Sequence, residues 1–142
     1  MNNLFAKGTP QQIPEVLANR DRRVALQNQL TKSHPDQTVI AAKLNIPGPI
    51  KNIFVTKLTI FEKQLQAQYD FKMVGQWLDE STGPERFYLV DGPAEQVKQL
   101  TTAFEEADAS NRLFDLDVLS RQAGQTVSMS RTELGLPKRT CL

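Results

Sequence analysis

Asp115 and Asp117, in the run Arg112-Leu113-Phe114-Asp115-Leu116-Asp117-Val118-Leu119, are the residues whose type and spacing point most clearly to chemistry. The run is rich in strand formers, and the strand period of two puts both carboxylates on one face while Phe114, Leu116 and Val118 turn to the other. At roughly 6–7 Å, two unscreened negative charges repel by about 2–3 kcal/mol at an effective dielectric near 20. A divalent cation would relieve that repulsion. Mg²⁺ is commonly held by one or two carboxylates, with water and substrate phosphates in the remaining positions, as in phosphoryl-transfer enzymes. The plainer alternative is a pair of solvated side chains, or side chains paired with Lys and Arg, on an open sheet face. On spacing alone the short string Asp-x-Asp favours that alternative.

Other reactive groups are few. The single histidine, His34, lies in the turn-like Lys32-Ser33-His34-Pro35-Asp36 and reads as a solvated loop residue. A Ser-His-Asp or Cys-His site needs that one imidazole to face a nucleophile, and no spacing selects Cys141 or any particular serine. Cys141 is the only cysteine, which excludes an internal disulfide and a multi-cysteine metal cage. Acid–base or metal chemistry therefore has to run on carboxylates. Cationic side chains cluster in three places: Arg20-Asp21-Arg22-Arg23, Lys51 after Pro47-Gly48-Pro49-Ile50, and the C-terminal Ser130-Arg131 with Pro137-Lys138-Arg139.

The elements that must position these groups follow from periodicity. A Thr9–Gln12 capping pattern opens a helix running to about Gln29, on which Arg20, Arg23 and Gln27 share a face with Val16 and, further round, Val24. Thr38–Ile46 is β-rich and stops at the Pro47-Gly48-Pro49 turn. Phe54, Leu58, Phe61 and Leu65 mark an amphipathic helix over 53–68. Phe71–Leu78 and Arg86–Val90 read as a hairpin, Ala94 to about Ala107 as a helix with Val97, Leu100 and Phe104 on one face, and 112–119 and 125–129 as a second hairpin turning near Gly124. The core order is βαββαβ, an α+β ferredoxin-like arrangement with an added N-terminal helix and a C-terminal hairpin and tail. Its sheet should be mainly antiparallel with helices on one face. First and last core strands are then antiparallel neighbours, which gathers the backbone turn at Gly48, Lys51, Arg112 and the aspartate pair in one corner. A helix N-terminus follows that turn, and its free N–H groups favour anions.

Length and composition agree with one domain over residues 1–142. The chain has 39% hydrophobic and 23% charged residues, with 17 Lys+Arg against 16 Asp+Glu. A net charge of +1 predicts no bulk attraction to nucleic acid or anionic lipid, so phosphate binding has to be local. No apolar run approaches the ~20 residues of a membrane span. The first residues lack the charged and then apolar stretch of a secretory signal, so a cytoplasmic protein is expected.

At these same residues the sequence resembles the bacterial apo-citrate lyase phosphoribosyl-dephospho-CoA transferases, the citrate lyase holo-acyl-carrier-protein synthases. The matching strings run in order along nearly the whole chain: Ile13–Leu17 with Arg20–Arg23 and Gln27, Pro47–Lys51 with Val55-Thr56, Arg112–Leu119, and Ser130-Arg131 with Leu136–Leu142. The resemblance departs in one respect, since family members continue past the position of Leu142 with further cysteines and a histidine. It implies a nucleotidyltransferase-like enzyme that takes 2′-(5″-triphosphoribosyl)-3′-dephospho-CoA. The phosphoribosyl-dephospho-CoA part is attached to a serine of the apo-acyl carrier (γ) subunit of citrate lyase, and diphosphate is released. It further implies that Asp115 and Asp117 hold Mg²⁺ and that one of them accepts the serine proton. Arg20, Arg23, Lys51 and Arg112, with the turn at Gly48, would steady the triphosphate. Arg131 is grouped with the substrate-binding residues, at the head of a basic segment reaching Arg139 that would dock an acidic carrier.

A different class of function is a non-catalytic carrier-docking or nucleotide-binding module of the same fold. An RNA-binding version needs aromatic residues stacking from the central strands, but Phe87 and Tyr88 alternate faces, so only one could stack.

Overall fold

The continuous apolar runs Val39–Ala42 and Phe87–Val90 occupy the central strand of the sheet and one of its two neighbours, because a strand apolar at every position has to be covered on both faces. The computed structural model describes residues 13–44, 51–78 and 84–135. Helix α1 (Ile13–Ser33) leads to strand β1 (Thr38–Leu44), then α2 (Lys51–Gln66), β2 (Phe71–Trp77), β3 (Glu85–Val90), α3 (Ala94–Glu106), β4 (Phe114–Gln122) and β5 (Gln125–Ser128). Among the described residues the architecture is α+β: three α-helices and one antiparallel five-stranded sheet in the order β2-β3-β1-β4-β5. The expected elements are present with shifted ends. The main differences are that α1 runs on to Ser33, and that Asn111–Leu113 is a 3-10 turn rather than the start of β4. The turn expected at Glu80–Gly83, the loop at 47–50 and the basic string 137–139 lie outside the described residues.

Each face of the sheet has its own apolar cluster. On one, Ile40, Tyr88, Val90, Phe114, Leu116 and Val118 pack against Phe54, Leu58, Phe61 and Leu65 of α2 and Val97 and Phe104 of α3. On the other, Val39, Ala41, Phe87, Leu89 and Leu119 pack against Leu26 and Leu30 of α1. The helices are thus not confined to one face, which corrects the expectation. The reason is that β1 and β3 are apolar on both sides, and α1 covers what α2 and α3 leave bare. Val24, placed on the polar-plus-apolar row of α1, is instead exposed, and docking falls to Leu26, Leu30 and Thr31. Thr31 Oγ1 lies 2.7 Å from Thr126 Oγ1 on β5, tying the helix end to the sheet edge.

Phe61 sits at the junction of α2, α3 and the sheet, with ring centroids 5.2 Å from Phe104 and 6.1 Å from Tyr88. Phe61→Ala is expected to cost about 3–5 kcal/mol of unfolding free energy through lost burial and the cavity left behind, read from urea denaturation. The β4–β5 hairpin turns on Ala123 and Gly124, both with positive φ (52° and 79°). Two such residues are what a type I′ turn requires, and Ala is poorly suited to the first position. Ala123→Asn is accordingly expected to stabilise by up to about 1 kcal/mol in the same assay.

The entry into β4 is pinned locally. The Asp108 carboxylate accepts the Asn111 backbone N–H and the Ser110 hydroxyl, each at 2.8 Å, and pairs with Lys57 at 3.2 Å. The Asn111 N–H, then Ser110 and Lys57, hold its carboxyl down to about 2. Among the described residues, no helix is long and apolar enough to cross a membrane.

Candidate functional site

The alternation along β4 separates its side chains as the strand period requires. Phe114, Leu116 and Val118 are buried beneath α2 and α3, while Asp115 and Asp117 are half-buried on the face that α1 covers. Cross-strand register then builds their surroundings. Asp117 stands opposite Ala41 and Asp115 opposite Lys43; Lys43 is opposite Glu85, and Glu85 opposite Trp77. Side chains directly opposite in antiparallel strands share a face with Cβ atoms about 5 Å apart. A row Trp77-Glu85-Lys43-Asp115 therefore crosses four strands at the end of the sheet where β1 finishes.

Helix α1 adds two arginines to this row. Arg23 Nη1 is 3.6 Å from Glu85 Oε2, and the Arg22 guanidinium carbon is 4.0 Å from the centroid of the Trp77 ring. Trp77 Nε1–H donates to Glu85 Oε2 at 3.2 Å, so a carboxylate only 2% exposed has both a hydrogen-bond donor and a cation. Burial, followed by the charge of Asp115, raises the Asp117 carboxyl above the ordinary carboxylate range. Lys98 and Arg23 pull in the opposite direction, and Glu105 adds to the rise. The two aspartates thus stand on a half-buried face rather than an open one.

The other expected residues are placed as follows. Arg23 is drawn to the same sheet face as the aspartates, whereas Arg20 is exposed on α1. Arg112, in the 3-10 turn before β4, has Nε 3.9 Å from Glu106 Oε1 of α3. Lys51 is the first residue of α2, and Gly48 lies outside the described residues. The β1–β4 register, with Leu44 opposite Phe114, does bring the end of β1 beside the start of β4. Arg131 stands apart from the aspartates. It is buried and paired with Glu105 and Glu106 of α3, the helix on the opposite face of the sheet.

Lys43 and Glu85 escaped the sequence reading. Their signal was a charged residue inside or heading an otherwise apolar strand, where it needs a partner to be tolerated. Phe87 and Tyr88 are both fully buried, on opposite faces, and the Trp77 ring is flanked by Arg22 and Phe87. Among the described residues, no group of three or more His, Cys, Asp or Glu side chains is arranged to hold a metal. The Asp115–Asp117 pair offers two hard oxygen donors, which suits Mg²⁺ completed by phosphate and water rather than a cation caged wholly by protein.

Asp115, Asp117, Lys43 and Arg23 thus share one face of the sheet. A family model described as apo-citrate lyase phosphoribosyl-dephospho-CoA transferase matches residues 11–142, and the chain belongs to that family. Protein CitXG of Leuconostoc mesenteroides is 36% identical over 147 residues, covering 97% of this chain and 30% of that protein. A probable apo-citrate lyase phosphoribosyl-dephospho-CoA transferase of Streptococcus pyogenes is 33% identical over 141 residues, covering 96% of this chain and 73% of its own. The transferase of that name in Escherichia coli is 32% identical over 145 residues, covering 97% and 76%. The chain thus spans under a third of the CitXG protein and about three quarters of the other two.

Proposed function

We propose that the chain, working in the cytoplasm, transfers phosphoribosyl-dephospho-CoA from 2′-(5″-triphosphoribosyl)-3′-dephospho-CoA to a serine of the apo-acyl carrier subunit of citrate lyase. The family membership supports the activity, its donor and its partner. We read the βαββαβ core, with its strand order β2-β3-β1-β4, as a ferredoxin-like domain of nucleotidyltransferase type; that order is what two interleaved split βαβ units produce. The observation that carries the site is the placement of Asp115 and Asp117 on one half-buried face, in register with Lys43 and near Arg23.

In the reaction the serine Oγ attacks the α-phosphorus, the new O–P bond forms as the bond to diphosphate breaks, and the serine proton leaves. Such a displacement depends on positioning and charge neutralisation more than on covalent catalysis. Asp115 and Asp117 would hold Mg²⁺, which when bound neutralises phosphate charge and favours diphosphate as a leaving group. Lys43, Arg23, Lys51 and Arg112 would steady the phosphate oxygens. One of the two aspartates would accept the serine proton.

The test is to incubate the protein with apo-carrier, the triphosphoribosyl donor and Mg²⁺ and to weigh the carrier by mass spectrometry. A gain equal to one phosphoribosyl-dephospho-CoA group, with one diphosphate released per carrier, is the expected result. An unchanged carrier mass in the presence of folded protein would assign the chain to inert carrier docking. Lys43→Met is expected to lower the rate about 10-fold or more by removing a cation beside Asp115, with initial rates against donor concentration as the measure.

A further inference from the structure

Strand β5 shields only part of β4. The last pair between them is Leu119 with Ser128, after which the Met129 N–H donates to the Val118 carbonyl at 2.8 Å. Toward Phe114, the outer edge of β4 has no strand beside it among the described residues. Two side chains of α3 take its place. The Leu116 N–H donates to Glu105 Oε2 at 2.8 Å, and Lys98 Nζ donates to the Leu116 carbonyl at 3.3 Å. Lys98 and Glu105 are seven residues apart, two helical turns, so both project from the same side of α3. Arg131 occupies the other Glu105 oxygen and reaches Glu106 Oε2 at 2.8 Å.

Leu116 is the residue between the two aspartates. Its N–H belongs to the peptide plane that begins at the Asp115 Cα, and its carbonyl to the plane that ends at the Asp117 Cα. Holding both planes from outside fixes the local pleat, and with it the separation and direction of the two carboxylates. An edge that needed only closure could have been covered by three more residues of β5. Burying Lys98, Glu105 and Arg131 is a costly alternative unless the geometry they impose matters. We infer that Lys98 and Glu105, braced by Arg131, are positioning residues that set the Asp115–Asp117 pair through the main chain of Leu116. This rests on the reading of those aspartates as the reacting site.

The test compares Glu105→Leu, Glu105→Gln and Lys98→Met with wild type. The measurements are steady-state kinetics with apo-carrier and donor, circular dichroism, and hydrogen exchange of the Leu116 amide. In Glu105→Leu, kcat is expected to fall about 100-fold with the KM for carrier unchanged, since a displacement of about 1 Å is enough for that. The Leu116 amide should exchange at least about tenfold faster. Glu105→Gln keeps an oxygen that can accept the Leu116 N–H, and should recover most of both effects. Lys98→Met leaves the Glu105–Arg131 pair intact and should lower kcat about tenfold, which keeps the test decisive if Glu105→Leu does not fold.

A purely structural role predicts lower melting temperatures with kcat of the folded enzyme within about twofold of wild type, and that result, in Glu105→Leu or, if it does not fold, in Lys98→Met, overturns the inference. Asp115→Asn is assayed alongside. If it is inactive while Glu105→Leu keeps its kcat, only the positioning role fails. If it is fully active, the reading of the site fails and takes the positioning role with it.

Discussion

Asp115→Asn and Asp117→Asn are each expected to slow modification of the carrier by about 10³-fold, while the melting temperature stays level or rises. Each change leaves the shape of the side chain nearly intact but removes a negative charge, and so half of the donor set we propose for Mg²⁺. Burial and the neighbouring Asp115 raise the Asp117 carboxyl, so the folded protein disfavours the ionised form. For a carboxyl raised on folding, stability falls as pH climbs from the ordinary carboxylate range, near 4, through the raised folded value. A neutral Asn removes that penalty, so Asp117→Asn should gain melting temperature relative to wild type at pH 7 and lose that advantage below about pH 4. Initial rates by mass spectrometry and thermal melts at both pH values measure the two halves. Wild-type turnover in either variant would remove the carboxylates from the chemistry. A fall in melting temperature at pH 7 in Asp117→Asn would mean that its charge is compensated within the folded protein.

Arg131→Met is expected to cost about 3–5 kcal/mol of stability in urea denaturation. Arg131 and Glu105 have side-chain exposures of 9% and 2%, so deleting the guanidinium removes a cation from beside a buried carboxylate. The double variant Arg131→Met with Glu105→Gln should recover more than half of the loss, because the stranded charge is removed as well. Equal losses in the single and double variants would show that Arg131 contributes packing alone. The role that this residue acquires differs from the one its sequence context suggests. In the string Ser130-Arg131, followed by Pro137-Lys138-Arg139, it reads as part of a basic patch for substrate or carrier, yet its guanidinium is committed to two carboxylates of α3.

Much of the fold was legible because local periodicity and punctuation agree. Phe54, Leu58, Phe61 and Leu65 repeat every three or four residues, and all four are fully buried on one side of α2. The alternation of β4 was equally plain, with its aspartates on one face and Phe114, Leu116 and Val118 on the other. The position of α1 was harder to read. Its polar row shows which residues are charged but not which face of the sheet the helix will cover, and Val24 and Arg20 remain exposed while Arg23 turns to Glu85. The two-sided apolar character of Val39–Ala42 and Phe87–Val90 was the available clue, since α2 and α3 can cover only one side of such strands.

The amino-acid sequence by itself determined the order and kind of the elements, the face shared by Asp115 and Asp117, and the family to which the chain belongs. All of these depend on neighbours within a few residues or on the linear order of motifs. The tertiary structure alone decided that Lys43 stands against Asp115, that Glu85 joins them through Arg23 and Trp77, and that Lys98, Glu105 and Arg131 hold the main chain of Leu116. Those partnerships join residues between 18 and 72 positions apart, apart from nearer pairs such as Trp77–Glu85 and Glu105–Leu116. They arise from strand register and helix docking, because only a closed sheet with both faces covered fixes which charges meet in a region too dry to leave them unpaired.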